Sequence, residues 1–485
     1  MAVTDERAEA GFVTAIRRQS QDFPGWYQDV VRKAQLADYS PVRGCMVIRP
    51  YGYAIWENIR DALDALIKKT GHENWYFPAL IPLSFLLKEQ EHVEGFEPEF
   101  AMVTRGGGKE LEEPLVLRPT SETMLASVLK DYIQSYRDLP LKTNQWNNVF
   151  RWELRTRLFL RTLEFLWQEG HTFHETADEA RQEVDTMLEC YRVVAEEWCA
   201  FPVLLGRKSE TEKFAGAQYS TAIEAMMRDG KALQAGTSHY FGENFSRAYD
   251  LTFTGRTNER QYPHSTSWGM STRMVGAVVM AHGDDAGLQL PPRIAPIQAV
   301  VIPIFRTEQE KAQIASALEP VLSDLGAVRT RVDWRDERPG FKFNEWELKG
   351  VPLRLELGPR DLARGEATVV RRADRGKTAV PLGDLKTRLP EMLDEIQSKM
   401  FQRALAFREE HTVRLSSLED MVRHFETGIG FVITPWCEDA ECEAKVKART
   451  TATTRVIPRG APKPHGPCAV CGRPATTEVI WAKAY

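Results

Sequence analysis

At 485 residues, with 43% hydrophobic and 27% charged side chains, the chain has room for several domains that each bury a core, and its composition excludes a disordered or fibrous protein. No apolar run approaches the ~20 residues that cross a bilayer, and the polar, acidic start Met1 to Ala10 lacks the apolar stretch of a secretory signal; a cytoplasmic protein with no membrane partner is expected. The net charge of −5 gives no overall bias toward nucleic acid, although Arg329 to Lys377 holds thirteen Lys/Arg against nine Asp/Glu.

Along the chain, Tyr53 to Lys69 sets Ile55, Ile59, Leu63 and Leu66 at helical spacing and stops before Gly71. Trp75 to Leu80 is an extended apolar run. Gly106-Gly107-Gly108-Lys109 lacks the spacing of a phosphate-binding loop and reads as a flexible hairpin. Trp146 to Trp152 and Phe165 to Glu169 read as strands around a charged loop, and Ser271 to Ala281 as an apolar helix opening after Gly269. Mainly antiparallel strands mixed with helices predict an α+β sheet domain. Gln289 to Pro296 then concentrates three prolines in eight residues, which neither a helix nor a central strand accepts, so a boundary falls there. Beyond it, strand Gln298 to Phe305, amphipathic helix Glu308 to Leu325 ending at Gly326, and strand Val328 to Val332 form a β-α-β unit with a parallel, right-handed connection. The expected division is 1–290, a small α/β domain over 291–400, and a third, α+β domain over 401–485.

Cys45, Cys190 and Cys199 are scattered and read as buried small hydrophobes. Cys437, Cys442, Cys468 and Cys471 instead form two close pairs near the C-terminus, the pattern of a tetrahedral structural Zn²⁺ site, with His465 as an alternative ligand. His171 and His174 bring no further ligands at strand spacing and make a poor metal site.

Phe150-Arg151-Trp152-Glu153, a charged loop, then Arg161, Phe165 and Glu169 combine an arginine that can grip phosphate or carboxylate with an aromatic face for a base. The whole constellation resembles motif 2 of class II aminoacyl-tRNA synthetases. Gly71-His72-x-x-Trp75-x-x-Pro78-Ala79-Leu80 resembles their motif 1, a dimer-interface element, and Gly269-x-Ser271-Thr272-Arg273 their motif 3; Thr272 stands where many members carry glutamate. Arg118-Pro119-Thr120-Ser121-Glu122, Trp167-Gln168-Glu169-Gly170-His171-Thr172, Lys213-Phe214-Ala215-Gly216 and Gln234-Ala235-Gly236-Thr237-Ser238-His239 resemble the prolyl-tRNA synthetase family, in its archaeal and eukaryotic form with a C-terminal zinc module. Asp336 to Arg360 resembles that family's anticodon-binding domain.

The resemblance implies a homodimeric ligase that activates L-proline with ATP and Mg²⁺ and transfers it to tRNA(Pro), on an antiparallel class II sheet. It assigns proline to Thr120, Glu122, Arg151, Trp167, Glu169, His171, Phe214, His239 and Ser267. ATP falls to Arg151, Glu153, Arg161, Phe165, Gln234, Thr237 and Arg273, with Arg151 and Arg273 as the catalytic pair. Anticodon guanines fall to Glu347 and Arg354. Thr176 to Ser267 is too short for the editing insertion of bacterial-type members, and Tyr485, after the apolar strand Glu478 to Trp481, is expected to tuck toward the catalytic site. Two alternatives stay open: a class II relative for threonine, glycine or histidine, and a non-catalytic tRNA-binding regulator.

Overall fold

The computed structural model describes residues 16–92, 100–326 and 328–485; the acidic start Met1 to Ala10 lies outside them. Six antiparallel strands form the main sheet of the first unit, hydrogen-bonded in the order Val203–Arg207, Tyr219–Met226, Ala232–Gly242, His264–Ser271, Glu164–His174 and Leu141–Phe150. Helices Pro50–Lys69 and Ala177–Val193 pack on this part of the molecule, and Leu63, Met187, Tyr191 and Trp268 share its main core. Side chains alternate along a strand. In Glu164–His174 the Gln168 amide accordingly meets the Tyr191 hydroxyl of the helix at 2.7 Å, while Trp167, Glu169 and His171 face the opposite way, into a cavity. Gly170 lies between them because no side chain fits: a Cβ there would stand 2.0 Å from the Trp268 ring.

The two strands around the charged loop are longer than the apolar runs foretold. Leu141–Phe150 ends two residues before Trp152, and Glu164–His174 continues five beyond Glu169. The extension runs through Thr143, Asn144, Gln145, Gly170 and Thr172, polar or small residues that strand propensity does not flag; the two strands pair with each other through them, and Gly170 and Thr172 pair on to His264–Ser271. Trp75 to Phe77 stays irregular, with Trp75 and Phe77 stacked at 5.8 Å; a strand begins only at Leu80, after Pro78, which has no N–H to give. The tip Gly107-Gly108 turns a hairpin between Met102–Gly106 and Lys109–Leu117. Helix Arg273–His282 is buried from Met274 to His282. Met274, Val275, Val278, Val279 and Met280 contribute roughly 1.5–3 kcal/mol each by burial, which fixes Arg273 at the helix start.

Past the irregular proline segment, Ala299–Pro303 lies between Thr330–Val332 and Leu353–Leu357, both parallel to it, with Glu366–Arg371 and Lys377–Pro381 added antiparallel. A capping box at Thr307 and Glu310 starts helix Glu308–Asp324. Helix Leu385–Glu410 then runs through position 400 into the C-terminal segment. That segment extends the main sheet: Thr453–Pro458 pairs with Val203–Arg207 through Ile457↔Arg207 and Pro458↔Gly206, and Thr477–Ala482, Phe431–Trp436 and Thr412–Arg414 follow. Gly206 permits the approach, since a Cβ there would lie 2.1 Å from the Ile457 carbonyl oxygen.

Candidate active site and metal centre

Thr120, Glu122, Arg151, Trp167, Glu169, His171, Phe214, His239 and Ser267 line one cavity of about 160 Å³. Glu122 opens helix Glu122–Leu129; its carboxylate accepts from Thr120 Oγ1 and, at 3.0 Å, from Ser267 Oγ. Glu169 accepts from Ser121 Oγ at 2.5 Å, Gln145 Nε2 at 2.8 Å and Asn147 Nδ2 at 2.6 Å, and meets His171 Nε2 at 3.2 Å. Burial pushes the Glu169 carboxyl up, but the His171 hydrogen bond and charge, with Ser121 and Asn147, outweigh it and leave it below its ordinary range. Burial likewise lowers His171, and the Glu169 bond with the charges of Glu122 and Glu169 overrides it and holds the imidazole above its ordinary value. Glu122 and Glu169 thus make this end of the cavity acidic and suited to a small cation, while Arg151, Lys208 and Glu212 line the rest of it.

His239 is different. Desolvation, with Arg151, Lys208 and His171 nearby, pushes it down to about 3, so it is neutral. The Phe214 N–H donates to Ser220 Oγ at 2.9 Å, Ser220 Oγ meets His239 Nδ1 at 2.7 Å, and His239 Nε2 meets Thr237 Oγ1 at 3.1 Å, so both ring nitrogens are partnered. Phe214 packs against the His239 ring at 4.9 Å, giving the cavity an apolar wall.

A second cavity of about 80 Å³ shares Arg151, Trp167, Gln234, Thr237 and Gly269 with the first and adds Phe165 and Arg273. The Arg151 guanidinium stands 5.5 Å from the Phe165 ring and 5.1 Å from the Trp167 ring, at the junction of the two. Arg273 is held by its Nε donating to the Leu160 carbonyl at 3.0 Å, and desolvation with Arg161 and Arg151 nearby pushes it down to about 10. Crowded cations of this kind are relieved by a polyanion. Glu153 and Arg161 do not line this cavity; they face each other at 3.7 Å beside it.

Glu347 and Arg354 line a cavity of about 170 Å³ in the second unit, together with Arg371, Arg372, Arg375 and Lys377. The sequence reading missed these last four; their only sign was the local excess of basic residues. Glu347 is already paired with Arg375 at 2.7 Å, and Arg354 with Glu356 at 2.8 Å while lying 4.3 Å over Phe343. Also missed were Lys208, Glu212, Ser220 and Trp268 in the first cavity, and Gln145 and Asn147 behind Glu169. The alternation of Thr143, Gln145 and Asn147 along a strand was the available signal. Tyr485 docks rather than frays: its N–H reaches the Ala232 carbonyl at 3.1 Å, its hydroxyl Asp229 at 2.6 Å, and Lys231 lies 4.9 Å from the ring. It does not line either catalytic cavity.

The sulfurs of Cys437, Cys442, Cys468 and Cys471 lie within 4.8 Å of one another, with Cys437 3.8 Å from Cys442 and 3.7 Å from Cys471. Metal–sulfur bonds of ~2.3 Å in a tetrahedron give sulfur–sulfur edges of about 3.8 Å, so the four fit Zn²⁺, and they are far longer than a disulfide. A hydrogen bond from Arg473 Nε at 3.3 Å draws the Cys471 thiol down to about 6, toward the thiolate a metal needs. His465 is not part of this group. Glu122, Glu169 and His171 form the other convergent donor group among the described residues. His174 stays apart, bonded to Thr172 and pushed down to about 4 by burial.

Comparison with known proteins gives three family models in chain order. Residues 102–282 match the tRNA synthetase class II core domain (G, H, P, S and T), residues 298–392 the anticodon binding domain, and residues 418–485 the prolyl-tRNA synthetase C-terminal domain. The chain is 51% identical over 488 residues to the proline–tRNA ligase of Symbiobacterium thermophilum, covering 99% of this chain and 100% of that one. It is 53% identical over 482 residues to that of Chlorobium limicola, covering 97% and 99%. Among solved structures it superposes on the prolyl-tRNA synthetase of Cryptosporidium parvum complexed with halofuginone and AMPPNP, with a TM-score of 0.92, 37% identity, and coverage of 98% of this chain and 100% of that chain.

Proposed function

The chain belongs to the prolyl-tRNA synthetase family of class II aminoacyl-tRNA synthetases, and on that premise we propose how its two joined cavities carry out the reaction. The activity is proline–tRNA ligation: proline is activated with ATP and passed to tRNA(Pro), with no separate editing domain among the described residues. The observation that carries the reading is the shared Arg151, with the paired carboxylates Glu122 and Glu169 on one side and Arg273 on the other.

In the first cavity the secondary ammonium of proline sits between Glu122, Glu169 and Thr120, its ring between Trp167, Phe214 and His239, and its carboxylate on Arg151, with His171 and Ser267 holding the two carboxylates. In the second, Phe165 and Arg273 sandwich the adenine, Glu153 meets its amino group beside Arg161, Gln234 and Thr237 contact the nucleotide, and Arg273 reaches the γ-phosphate. The proline carboxylate oxygen then attacks the α-phosphorus in line, the bond to the bridging oxygen breaks, and pyrophosphate leaves; Arg151 and Arg273 stabilise the charge that develops. In the second step the tRNA 3′-terminal hydroxyl attacks the acyl carbon and AMP departs. Neither cavity histidine offers a free base: His171 Nε2 is engaged by Glu169, and the His239 nitrogens by Ser220 and Thr237.

Mg²⁺ would be carried on the ATP phosphates beside Arg151 and Arg273 and would neutralise part of the phosphate charge. Zn²⁺ on Cys437, Cys442, Cys468 and Cys471 is structural, since four thiolates leave no open position. Glu347 and Arg354 read the anticodon guanines from the basic cavity of the second unit. The units are 1–290, 291–400 and 401–485. Exposed Tyr76, Leu80 and Met102 support a homodimer, and the cytoplasm suits seven cysteines, none of them in a disulfide, in a chain in which no described helix is long and apolar enough to cross a membrane. Charging of tRNA(Pro) with labelled proline tests the reading: it is lost when the anticodon guanines are replaced, and charging that ignores them would remove the anticodon assignment.

A further inference from the structure

The residues that follow the first two zinc-binding cysteines both reach back to the catalytic sheet. Glu438, after Cys437, pairs with Arg207 at 2.5 Å; Glu443, after Cys442, is buried and accepts from three hydroxyls. Ser209 Oγ reaches one of its oxygens at 3.2 Å, as does Thr454 Oγ1 at 2.5 Å, and Thr211 Oγ1 reaches the other at 2.5 Å. Ser209 and Thr211 open the loop that runs to Phe214 and Gly216. Within it, the Glu212 and Lys213 N–H groups bond back to the Ser209 carbonyl at 3.2 and 3.0 Å, and the Phe214 N–H is fixed to Ser220. Lys208, Glu212 and Phe214 line the first cavity. A second tie runs parallel: Arg455, on the C-terminal strand beside Thr454, donates to buried Glu224 at 2.9 Å, and Glu224 holds the Lys208 ammonium at 2.9 Å.

We infer that Glu443 is a positioning residue for proline: through Ser209 and Thr211 it fixes the loop that sets Phe214 against the substrate ring, so the zinc-bearing C-terminal unit completes the amino-acid pocket rather than merely capping the fold. This rests on the first cavity being the proline site. A buried acceptor with three donors specifies one loop position; the loop's own exposed turn does not. Lys208, Glu212 and Phe214 line the first cavity and not the second, where Phe165 and Arg273 lie, which makes the effect selective.

The test uses the full zinc-loaded chain and three variants: Glu443→Gln, the double Ser209→Ala/Thr211→Val, and the conservative Thr211→Ser. Proline-dependent pyrophosphate exchange by the unmodified chain establishes the site itself; its absence defeats the site reading, whatever the variants do. Given that activity, the first two variants raise the KM for proline at least tenfold and leave the KM for ATP within about twofold. Their zinc content stays at one per chain, and hydrogen exchange speeds up at the Lys213 and Phe214 amides. Thr211→Ser keeps the hydroxyl and behaves as the unmodified chain. An unchanged proline KM, or equal losses for proline and ATP, overturns the inference even where the amides exchange faster.

Discussion

Glu169→Gln separates the charge of the amino-acid pocket from its shape. The amide keeps the volume of the carboxylate, but one of its ends becomes a donor where Ser121 Oγ, Gln145 Nε2, Asn147 Nδ2 and His171 Nε2 all supply hydrogens or face it. The acidic end of the pocket also falls from two carboxylates to one, Glu122 alone, so the attraction for a prolinium weakens. Loss of one ionic contact in a buried site costs about 2–4 kcal/mol, which is on the order of a 30- to 1000-fold rise in the KM for proline. Pyrophosphate exchange at saturating ATP measures it, with the KM for ATP moving less than about threefold because Glu169 does not line the second cavity. His171 supplies an independent readout. Its imidazolium contributes stability that is fully present below the ordinary imidazole pKa and fades as pH rises through the raised folded value. Without the Glu169 charge that value falls, so the ring titrates at lower pH by NMR and the alkaline edge of this stability contribution retreats with it. A proline KM within threefold of the unmodified chain, or an unmoved His171 titration, would refute the reasoning.

Arg151→Ala and Arg273→Ala should each slow adenylate formation by roughly 3 kcal/mol or more, about 100-fold, with thermal melting little changed; full exchange activity in Arg151→Ala would remove that residue from the mechanism. Zinc analysis should return one ion per chain, and a chelator should expose the C-terminal amides to hydrogen exchange before it exposes those of helix Arg273–His282. No zinc in protein purified without chelator would contradict the four-cysteine site. Alanine lacks ring methylenes worth about 1–3 kcal/mol each, so it should be activated slowly, and pre-formed alanyl-tRNA with the proline anticodon should survive; deacylation above the spontaneous rate would reveal an editing site.

Much of the site was legible because each motif is local: Trp167, Glu169 and His171 sit at strand spacing, and alternation alone puts them on one face. What sequence order hides is who stands opposite. Gln145 reaches Glu169 because its strand pairs with that of Glu169 in a register no turn residue announces, and Lys208 lines the pocket only because buried Glu224 draws its ammonium inward. The C-terminal segment likewise reads as a separate unit from its cysteines and from the prolines before it. Its continuation of the catalytic sheet depends on the pairing of Ile457 with Arg207 beside Gly206, a contact between residues 250 positions apart. The anticodon cavity was half visible: the basic excess was countable, but that Arg371, Arg372, Arg375 and Lys377 converge requires the turn between two antiparallel strands.

The cavity with Glu122 and Glu169 at its acidic end selects proline for activation on Arg151 and Arg273. ATP–pyrophosphate exchange by the purified chain with each of the twenty amino acids tests this most directly. Proline should drive exchange, with alanine far weaker and the rest at background; exchange driven by threonine, glycine or histidine, or none with any amino acid, would contradict it.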